Sequence, residues 1–172
     1  MITVRDATID DSPSIADLYN ALIPSTTGTW TEMLQTVAER TVWLERQSAD
    51  GLPVLVAEID RRVVGFASYG DFRGAGKWPG YDHTAEHTIH VASDKWRCGI
   101  GRLLMERLLE RARAMAVHVL VAAIDADNDT SLRFHARLGF TEVARMPEVG
   151  HKFGRWLDLV LMQRVVDDRT AP

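Results

Sequence analysis

A glycine turn between a strand pattern and a helix pattern is the feature that most constrains this chain. The turn covers residues 97–102 and contains Gly99 and Gly101. It follows a strand pattern over residues 84–91 and opens a helix that runs to about Met115. Two glycines at a helix start let backbone N–H groups point at an anion, which the helix dipole also favours. The turn therefore predicts a phosphate cradle, or else only the tight packing that many such turns permit.

The charges around the turn favour a polyanion. Lys95, Arg97 and Arg102 make the local field positive. The turn lacks the Lys-Ser/Thr ending of a nucleotide-triphosphate loop, and no acidic ribose-binding residue follows at the expected place, which argues against ATP and NAD. The diphosphate of coenzyme A suits the turn better. Cys98 could have a lowered thiol pKa in such a positive turn. We expect it to face phosphates and to be incidental to the chemistry.

Composition narrows the class of protein. The 172 residues are 46% hydrophobic, which is enough for one domain with a real core. A net charge of −4 argues against nucleic-acid binding as a main role. The single cysteine fits a reducing cytosol. The first residues alternate like a strand without a signal peptide's apolar core, and the longest apolar run, residues 119–124, is too short to span a bilayer. We expect a soluble, cytoplasmic protein with no membrane partner.

Periodicity predicts the order β-α-α-β-β-β-α-β-α-β-β, an α/β fold of the α+β type with a mixed sheet. This is not the repeated βαβ of a dinucleotide-binding fold. Residues 1–166 should form one domain and residues 167–172 a flexible tail. The predicted strands cover residues 2–7, 54–59, 63–69, 84–91, 117–125, 140–146 and 156–165. The predicted helices cover residues 12–22, 31–47, the stretch from the glycine turn to about 115, and 128–138.

A second motif follows the buried strand pattern at residues 117–125. It contains Asn128, Ser131 and His135, then Gly139-Phe140. Each residue alone has an ordinary structural explanation, since Asn128 can cap a helix and Gly139 can end one. Their arrangement after a glycine turn and a helix makes a functional role more plausible.

These motifs together resemble the GCN5-related N-acetyltransferase (GNAT) superfamily. Its signature is a strand, a Gln/Arg-x-x-Gly-x-Gly/Ala turn and a helix, then a strand, an Asn, and an aromatic residue or His before Gly-Phe. The resemblance extends over nearly the whole chain to the branch of phosphinothricin and methionine sulfone N-acetyltransferases. The segments that carry it are residues 26–30, 70–73, 84–91 and 150–158.

The resemblance implies a single-domain GNAT fold, in which a central, mostly antiparallel sheet is splayed at the cofactor site and flanked by helices. It implies acetyl-CoA as co-substrate, no metal and a homodimer. One departure is that the signature's Gln/Arg position falls on Trp96, with Arg97 one place later. The implied cofactor-binding residues are Ile89, His90 and Val91 through their backbone, Arg97, Cys98, Gly99, Ile100, Gly101 and Arg102 at the diphosphate, and Asn128 and Ser131.

Two residues are the candidates for proton transfer. An α-ammonium group must lose a proton before it attacks a thioester, and Glu86 is the candidate base, directly or through water. Glu86 could equally serve only as a counter-ion for the ammonium group. His135 stands where many members of the superfamily place a tyrosine, so the resemblance implies an acid that protonates the departing thiolate. The structural alternative is a partly buried histidine on an ordinary helix.

Substrate contacts are expected around the strand that carries Glu86. Arg73 is the predicted clamp for a substrate carboxylate, because guanidinium can bind it bidentately. Without the resemblance, Arg73 would be an ordinary solvated loop arginine. The loop between Arg73 and Glu86 is longer than usual for the branch, with residues 77–79 as the surplus. The other predicted substrate contacts are His87, Thr88, Trp30, Phe72, Trp78 and Tyr81, with Lys152 and Arg155 at a sulfone or phosphinate group or at a partner subunit.

The expected function is transfer of acetyl from acetyl-CoA to the α-amine of a small amino acid or analogue, by direct attack in a ternary complex. The favoured substrates are methionine sulfone, methionine sulfoximine and phosphinothricin. Two alternatives stay open: acetylation of a protein N-terminus or an aminoglycoside, and a catalytically silent acyl-CoA sensor. An aminoglycoside would favour an acidic cleft, whereas Arg73, Lys152 and Arg155 favour an anionic substrate group.

Overall fold

Seven strands form one sheet with helices on both faces, in a computed structural model that describes residues 1–74 and 77–171. The element order is the predicted one. The strands are β1 (Ile2–Asp6), β2 (Val54–Ile59), β3 (Arg62–Asp71), β4 (Thr84–Val91), β5 (Val119–Asp125), β6 (Thr141–Lys152) and β7 (Arg155–Val165). The helices are α1 (Ser12–Leu22), α2 (Val37–Ala49), α3 (Ile100–Ala114) and α4 (Asp129–Arg137), with short 3-10 turns at Ile9–Asp11, Pro79–Tyr81 and Ser93–Lys95.

The sheet order is β1-β2-β3-β4-β5-β7-β6, and every neighbouring pair is antiparallel except β4 and β5. That parallel pair is short: only Thr84 to Glu86 pair with Val119 to Val121. Beyond Glu86 the two strands separate while β4 stays paired with β3 as far as Val91. The predicted mostly antiparallel, splayed sheet is confirmed.

Each face of the sheet has its own hydrophobic core. On one face α3 buries Leu104, Met105 and Leu108 against β2, β3 and β4. On the other face α1 and α2 bury Ile15 and Leu44 against β2 and β3. The spacing of the buried residues of α3 is three and four, as one side of a 3.6-residue helix requires. The two layers leave β4 in the middle of the molecule, in contact with both.

The second helix begins at Val37, so the predicted start at residue 31 is wrong. Thr36 caps the helix: its side chain accepts from the Glu39 backbone N–H, and the Glu39 carboxylate accepts from the Thr36 backbone N–H at 2.7 Å. This capping box satisfies N–H groups that would otherwise have no partner at a helix start. The Thr-x-x-Glu pattern was present in the sequence and marks the boundary.

The β2–β3 hairpin was predicted around residues 60–62 and is confirmed. Asp60 and Arg61 both have positive φ, 49° and 66°, as a two-residue type I′ turn requires. Ile59 and Arg62 form the last cross-strand pair.

The last hairpin is longer than predicted, because β6 extends to Lys152 instead of ending at residue 146. Pro147 and Gly150 are typical of a loop, yet they lie in an irregular stretch of β6 where its register with β7 shifts. Proline is tolerated there because β6 is the edge of the sheet and needs no outer ladder of hydrogen bonds. The turn itself is Phe153-Gly154, both with positive φ.

This hairpin holds the loop that follows α1. Trp30 packs directly on Gly150, where a Cβ would lie 2.1 Å from the indole ring. The Lys152 ammonium donates to the backbone carbonyls of Thr26 and Thr29, both at 2.7 Å. Lys152 is 1% exposed, and burial lowers its pKa. Gly150 and Lys152, which are far away in sequence, therefore hold this loop in place.

The chain end makes contacts of its own within the described residues. Asp167 lies 2.7 Å from the His118 ring nitrogen, and Arg169 donates to the carbonyl of Ala116. The flexibility of residues 167–172 stays a prediction. Among the helices that the structure describes, none combines the length and the apolar character needed to cross a membrane.

The Trp30–Gly150 contact gives a testable prediction. Gly150→Ala should push the indole off the hairpin and lower the free energy of unfolding by about 1–3 kcal/mol, the usual cost of overpacking. Urea unfolding followed by tryptophan fluorescence measures it. The control is Gly70→Ala, another strand glycine, which has nothing within 4 Å of an added Cβ.

The effect of Gly150→Ala should also nearly vanish when Trp30 is already replaced by Ala. An unchanged cost in that background would mean that the indole does not cause it.

Candidate active site

An open cavity of about 600 Å³ lies between α1, α2 and the strands β3 and β4. Its walls carry more polar than apolar side chains, and four of them are charged: Glu39, Arg40, Asp71 and Glu86. The remaining lining residues are Tyr19, Gln35, Trp43, Gln47, Ser68, Tyr69, Gly70, His87 and Thr88. Three predicted site residues, Glu86, His87 and Thr88, therefore border one cavity.

Glu86 occupies the point where the sheet divides. It is the last residue of β4 that pairs with β5, opposite Val121, and it also pairs with Gly70 of β3. Its carboxylate makes no hydrogen bond or ion pair with the residues described. Partial burial in the cavity raises the pKa of Glu86 above its usual range. A carboxylate that has lost water without gaining a cation is suited to hold an ammonium group or to accept its proton.

The residues next to Glu86 on the same face of β4 form a neutral aromatic floor. The Thr88 hydroxyl lies 3.1 Å from a His90 ring nitrogen. His90 stacks on Phe66 at 4.9 Å and meets the edge of Tyr19 at 5.3 Å. Burial, assisted by the positive charge of Arg40, lowers the pKa of His90 to about 4. His90 is therefore neutral at pH 7.

The free edge of β4 borders the groove that the separating strands open, and the glycine turn follows the end of that strand. Beyond Glu86, Ile89, His90 and Val91 have no sheet partner on the β5 side in the described chain. At the start of α3, Gly99 has φ of 82° and an added Cβ would meet no atom within 4 Å. An open turn of backbone N–H groups beside an unpaired strand edge fits a long ligand with a diphosphate at one end.

Basic side chains surround that turn. Arg97 has φ of 64° and makes no ion pair with the described residues. Arg102 is tied to Glu106 at 2.7 Å, and Lys95 to Asp94 at 3.4 Å. The exposed Cys98 thiol lies 3.6 Å from the carbonyl of Trp96.

The departure from the family signature has a structural role. Trp96, at the expected Gln/Arg position, donates its indole N–H to the carbonyl of Val91 at 2.8 Å. It thereby ties the turn to the end of β4. The Val91 carbonyl already has this partner. Because the backbone of His90 pairs with Phe66 of β3, Ile89 has the freer backbone groups at the strand edge.

Hydrogen bonds to the backbone of α4 itself fix the side chains of Asn128 and His135. Asn128 caps the helix by accepting from the Ser131 N–H at 3.0 Å. His135 is 2% exposed, and its Nδ1 lies 2.8 Å from the Ser131 carbonyl, which can only accept. Nδ1 therefore carries the proton, and Nε2 is buried without a partner in the described chain. Burial lowers the pKa of His135. The ring must gain a proton before it can act as the predicted acid.

His87 packs away from the cavity, into a cluster of rings behind the split. Its ring is 5.1 Å from His135 and 5.5 Å from Phe140. Neither of its nitrogens has a hydrogen-bond partner among the described residues. Burial, and then the neighbouring His135, lower the pKa of His87 to about 3. Its side chain is therefore a neutral part of the core, while its backbone borders the cavity.

Arg73 lies on the loop after β3, outside the walls of the cavity. It is exposed with φ of 62°, and its guanidinium sits 5.6 Å from the Tyr81 ring. Phe72 also contacts Tyr81, at 5.6 Å, and Trp78 is exposed. Arg73, Phe72 and Tyr81 therefore contact one another on the loop after β3, outside the walls of the cavity. Residues 75 and 76 of the longer loop lie outside the described residues.

Three other predicted contacts do not line the cavity either. Trp30 is fixed on Gly150, and the ammonium of Lys152 is held by two loop carbonyls. Arg155 pairs with Asp127 at 2.8 Å. The interpretation of Lys152 as a direct contact for a sulfone or phosphinate is at odds with this burial, because the ammonium already has its partners.

The sequence interpretation missed the side of the cavity that α2 provides. Arg40, Trp43 and Gln47 are spaced by three and four residues and so lie on one face of the helix. The same spacing places Arg40 beside the buried Leu44. An arginine on the apolar side of an amphipathic helix was the signal that could have identified it. In the chain described, no group of three His, Cys, Asp or Glu residues is placed to hold a metal ion.

A sheet that splits beside an open turn suits transfer from a long phosphorylated carrier to a group held in the cavity, and known proteins agree. The acetyltransferase (GNAT) family matches residues 15–140. The chain therefore belongs to the GNAT acetyltransferase family, which confirms the resemblance found in the sequence.

Relatives of known name cover almost the full length. The L-amino acid N-acyltransferase MnaT of Escherichia coli K12 is 42% identical over 171 residues, which cover 99% of this chain and 98% of that protein. The L-methionine sulfoximine/L-methionine sulfone acetyltransferase of Pseudomonas aeruginosa PAO1 is 43% identical, with coverage of 99% and 98%. The crystal structure of a phosphinothricin acetyltransferase from Sinorhizobium meliloti in complex with AcCoA matches with a TM-score of 0.93 and 30% identity, covering 99% of this chain and 91% of that one.

The buried histidine pair predicts how stability depends on pH. Burial holds the pKa of His87 at about 3 in the folded state, below its usual 6.5, so unfolded chains bind more protons than folded chains as the pH falls below 6.5. His87 thus stabilises the protein less and less below pH 6.5. His87→Leu should make the loss of unfolding free energy between pH 6.5 and 4 shallower, by up to about 1.4 kcal/mol per pH unit.

Urea unfolding at several pH values measures this slope, with the exposed His151→Leu as the matched loss of one histidine. A slope in His87→Leu equal to that of the wild type would show that His87 does not cause the acid sensitivity.

Proposed function

We propose that this protein transfers acetyl from acetyl-CoA to the α-amine of a small amino acid or analogue, with methionine sulfone, methionine sulfoximine and phosphinothricin as the favoured class. The observation that carries the proposal is the position of Glu86, with an uncompensated carboxylate in the cavity and its backbone at the split of β4 from β5. Relatives named for these substrates, at 43% identity for the sulfoximine and sulfone enzyme, support it.

Glu86 holds the amine and takes up its proton, directly or through a water molecule. The raised pKa of Glu86 brings the carboxylate closer in basicity to the ammonium that it must deprotonate. The alternative role, a counter-ion that only holds the ammonium group, needs the same position. Both roles place the nitrogen beside the opening between the strands, where direct attack in a ternary complex is possible.

The residues that would hold acetyl-CoA follow the groove. The backbone of Ile89, His90 and Val91 is the proposed contact for the pantetheine arm, and the turn of residues 97–102 the proposed contact for the diphosphate. Asn128 and Ser131 lie at the start of α4, on the other side of the split. When bound, acetyl-CoA supplies the activated acetyl thioester. Cys98 needs no role as a nucleophile in this direct transfer.

His135 is proposed to take part in proton transfer to the leaving group. Its Nε2 is the free nitrogen, since Nδ1 is committed to Ser131. Because the ring is neutral at pH 7, Nε2 must take up a proton before it can donate one. His135 would therefore relay a proton and would not be protonated in the resting enzyme.

A second candidate substrate is a cationic amine such as an aminoglycoside. The cavity carries Glu39, Asp71 and Glu86 against a single arginine, which favours positive charge. However, the Glu39 carboxylate is already engaged in the cap of α2. Comparing turnover of anionic and cationic amines separates the two candidates, and preference for the cationic amines would reverse our choice.

Glu86→Gln tests the proposal. It should lower kcat for L-methionine sulfone by about 10²–10⁴-fold, the usual value of a positioned base, while the Kd for acetyl-CoA stays within about threefold. Wild-type kcat/KM should fall as the pH drops through the raised pKa of Glu86. Thiol release from acetyl-CoA measures turnover, and the control is Glu45→Gln on the exposed side of α2.

Wild-type kcat in Glu86→Gln would remove both proposed roles of this residue. Failure of the wild type to acetylate any amino acid or analogue in the class would defeat the substrate assignment, and the family membership would stand.

We further propose that residues 1–166 form the catalytic domain of a cytoplasmic homodimer that does not bind nucleic acid. The net charge of −4 and the single cysteine support the compartment and the exclusion of nucleic acid. The free edge strand β6, its turn and the start of β7 expose apolar side chains that a second copy would cover: Val143, Met146, Val149, Phe153 and Trp156. The mass of one chain in sedimentation equilibrium would contradict the dimer.

A further inference from the structure

We infer that Arg40 binds the carboxylate of the amino-acid substrate, in the same cavity that Glu86 borders. The inference rests on the proposed function and names the residue that selects amino acids within it. Arg40 lies on α2, is 6% exposed and lines the cavity.

The position of Arg40 follows from aromatic packing. Its guanidinium carbon lies 4.0 Å from the centre of the Tyr19 ring, 5.0 Å from Trp43 and 6.0 Å from Phe66. Ring faces stabilise a cation and fix the plane of the guanidinium. They do not satisfy its N–H groups, which point outward in that plane and need acceptors. The rings therefore orient the group and leave its hydrogen-bonding edge available.

No carboxylate in the described chain takes that edge. Within residues 1–74 and 77–171 the Arg40 side chain makes no ion pair, its Nε is buried without a partner, and its polar neighbour is the hydroxyl of Tyr19. The hydroxyl of Tyr19 pairs with Thr29 at 2.9 Å, and the carboxylate of Glu39 is held by Thr36. A buried guanidinium without an anion is costly to fold around. Binding of a substrate anion explains why the charge is there.

The pairing of opposite charges fits a zwitterion. Arg40 and Glu86 border the same cavity, and neither is neutralised by the other. Burial alone raises the pKa of Glu86, with no cation to offset it, and burial lowers the pKa of Arg40. An α-amino acid carries its ammonium and carboxylate groups on one carbon. It offers a charge partner to each of the two side chains, which a simple amine does not.

This assignment replaces Arg73 as the expected carboxylate clamp. Arg73 is exposed, and its guanidinium lies against Tyr81, outside the cavity walls. Charge pairs in solvent contribute little, whereas a guanidinium in a sheltered site makes strong bidentate contacts. Arg40 is the better placed of the two residues.

The test compares L-methionine sulfone with its carboxamide, which keeps the ammonium group and lacks the carboxylate charge. In the wild type, kcat/KM should favour the carboxylate by about 10–100-fold, as expected for a charged hydrogen bond. Arg40→Gln should reduce this preference to within about threefold by raising KM for the carboxylate substrate alone. Arg73→Gln, the matched loss of an arginine, should keep the wild-type preference.

A purely structural Arg40 would give a different pattern. Arg40→Gln would then weaken both substrates equally and leave their ratio unchanged, which overturns the inference. Loss of the preference in Arg73→Gln but not in Arg40→Gln also overturns it. If Arg40→Gln does not fold, Arg40→Lys keeps the charge without the bidentate fork. Its preference should fall by at least about threefold, and an unchanged preference overturns the inference.

Calorimetric binding separates this inference from the proposed function. A wild type that binds L-methionine sulfone without acetylating it, together with an Arg40→Gln variant that does not bind it, would support the role of Arg40 while defeating the proposed reaction. A wild type that neither binds nor acetylates it would overturn both.

Discussion

The separation of β4 from β5 after Glu86 is the constraint on which the rest of the molecule depends. A parallel pair that ends after three residues leaves backbone groups of β4 without partners in the middle of a sheet. Unsatisfied backbone groups are costly, so such an opening persists only if the surroundings hold it. The rings of His87, His135 and Phe140 fill the space behind the opening, and the glycine turn begins α3 at its far end.

Several polar side chains of the site, like its backbone, lack hydrogen-bond or charge partners. Glu86 and Arg40 both lack partners in the described chain, and His87 and His135 are buried as neutral rings with free nitrogens. The buried groups among them, Arg40, His87 and His135, cost folding free energy when no ligand is bound. Two hydrophobic cores, one on each face of the sheet, supply the stability that tolerates this cost. The proposed two-substrate reaction, with one substrate in the groove and another in the cavity, would give partners to the free edge of β4 and to Arg40 and Glu86.

Local patterns in the sequence were enough to predict the element order, the β2–β3 turn and the glycine turn, because each rests on neighbouring residues. The Thr36-x-x-Glu39 pattern also marks the start of α2. The prediction nevertheless began the helix at residue 31, which included the apolar residues around position 34. Arg40 left one local signal, its place on the apolar side of α2, and Lys152 left none. Their surroundings come from distant segments: Lys152 is buried by a loop more than 120 residues earlier, and Arg40 by rings of α1 and β3. Local patterns do not reveal such tertiary contacts.

The most direct measurement of the central claim is amide hydrogen exchange with and without saturating acetyl-CoA. If the free edge of β4 and the turn before α3 hold the cofactor, exchange should slow in residues 88–91 and 97–102. It should stay unchanged in residues 84–86, which are already paired with β5. Unaltered exchange in both segments, at a concentration where acetyl-CoA is shown to bind, would place the cofactor elsewhere and contradict the account.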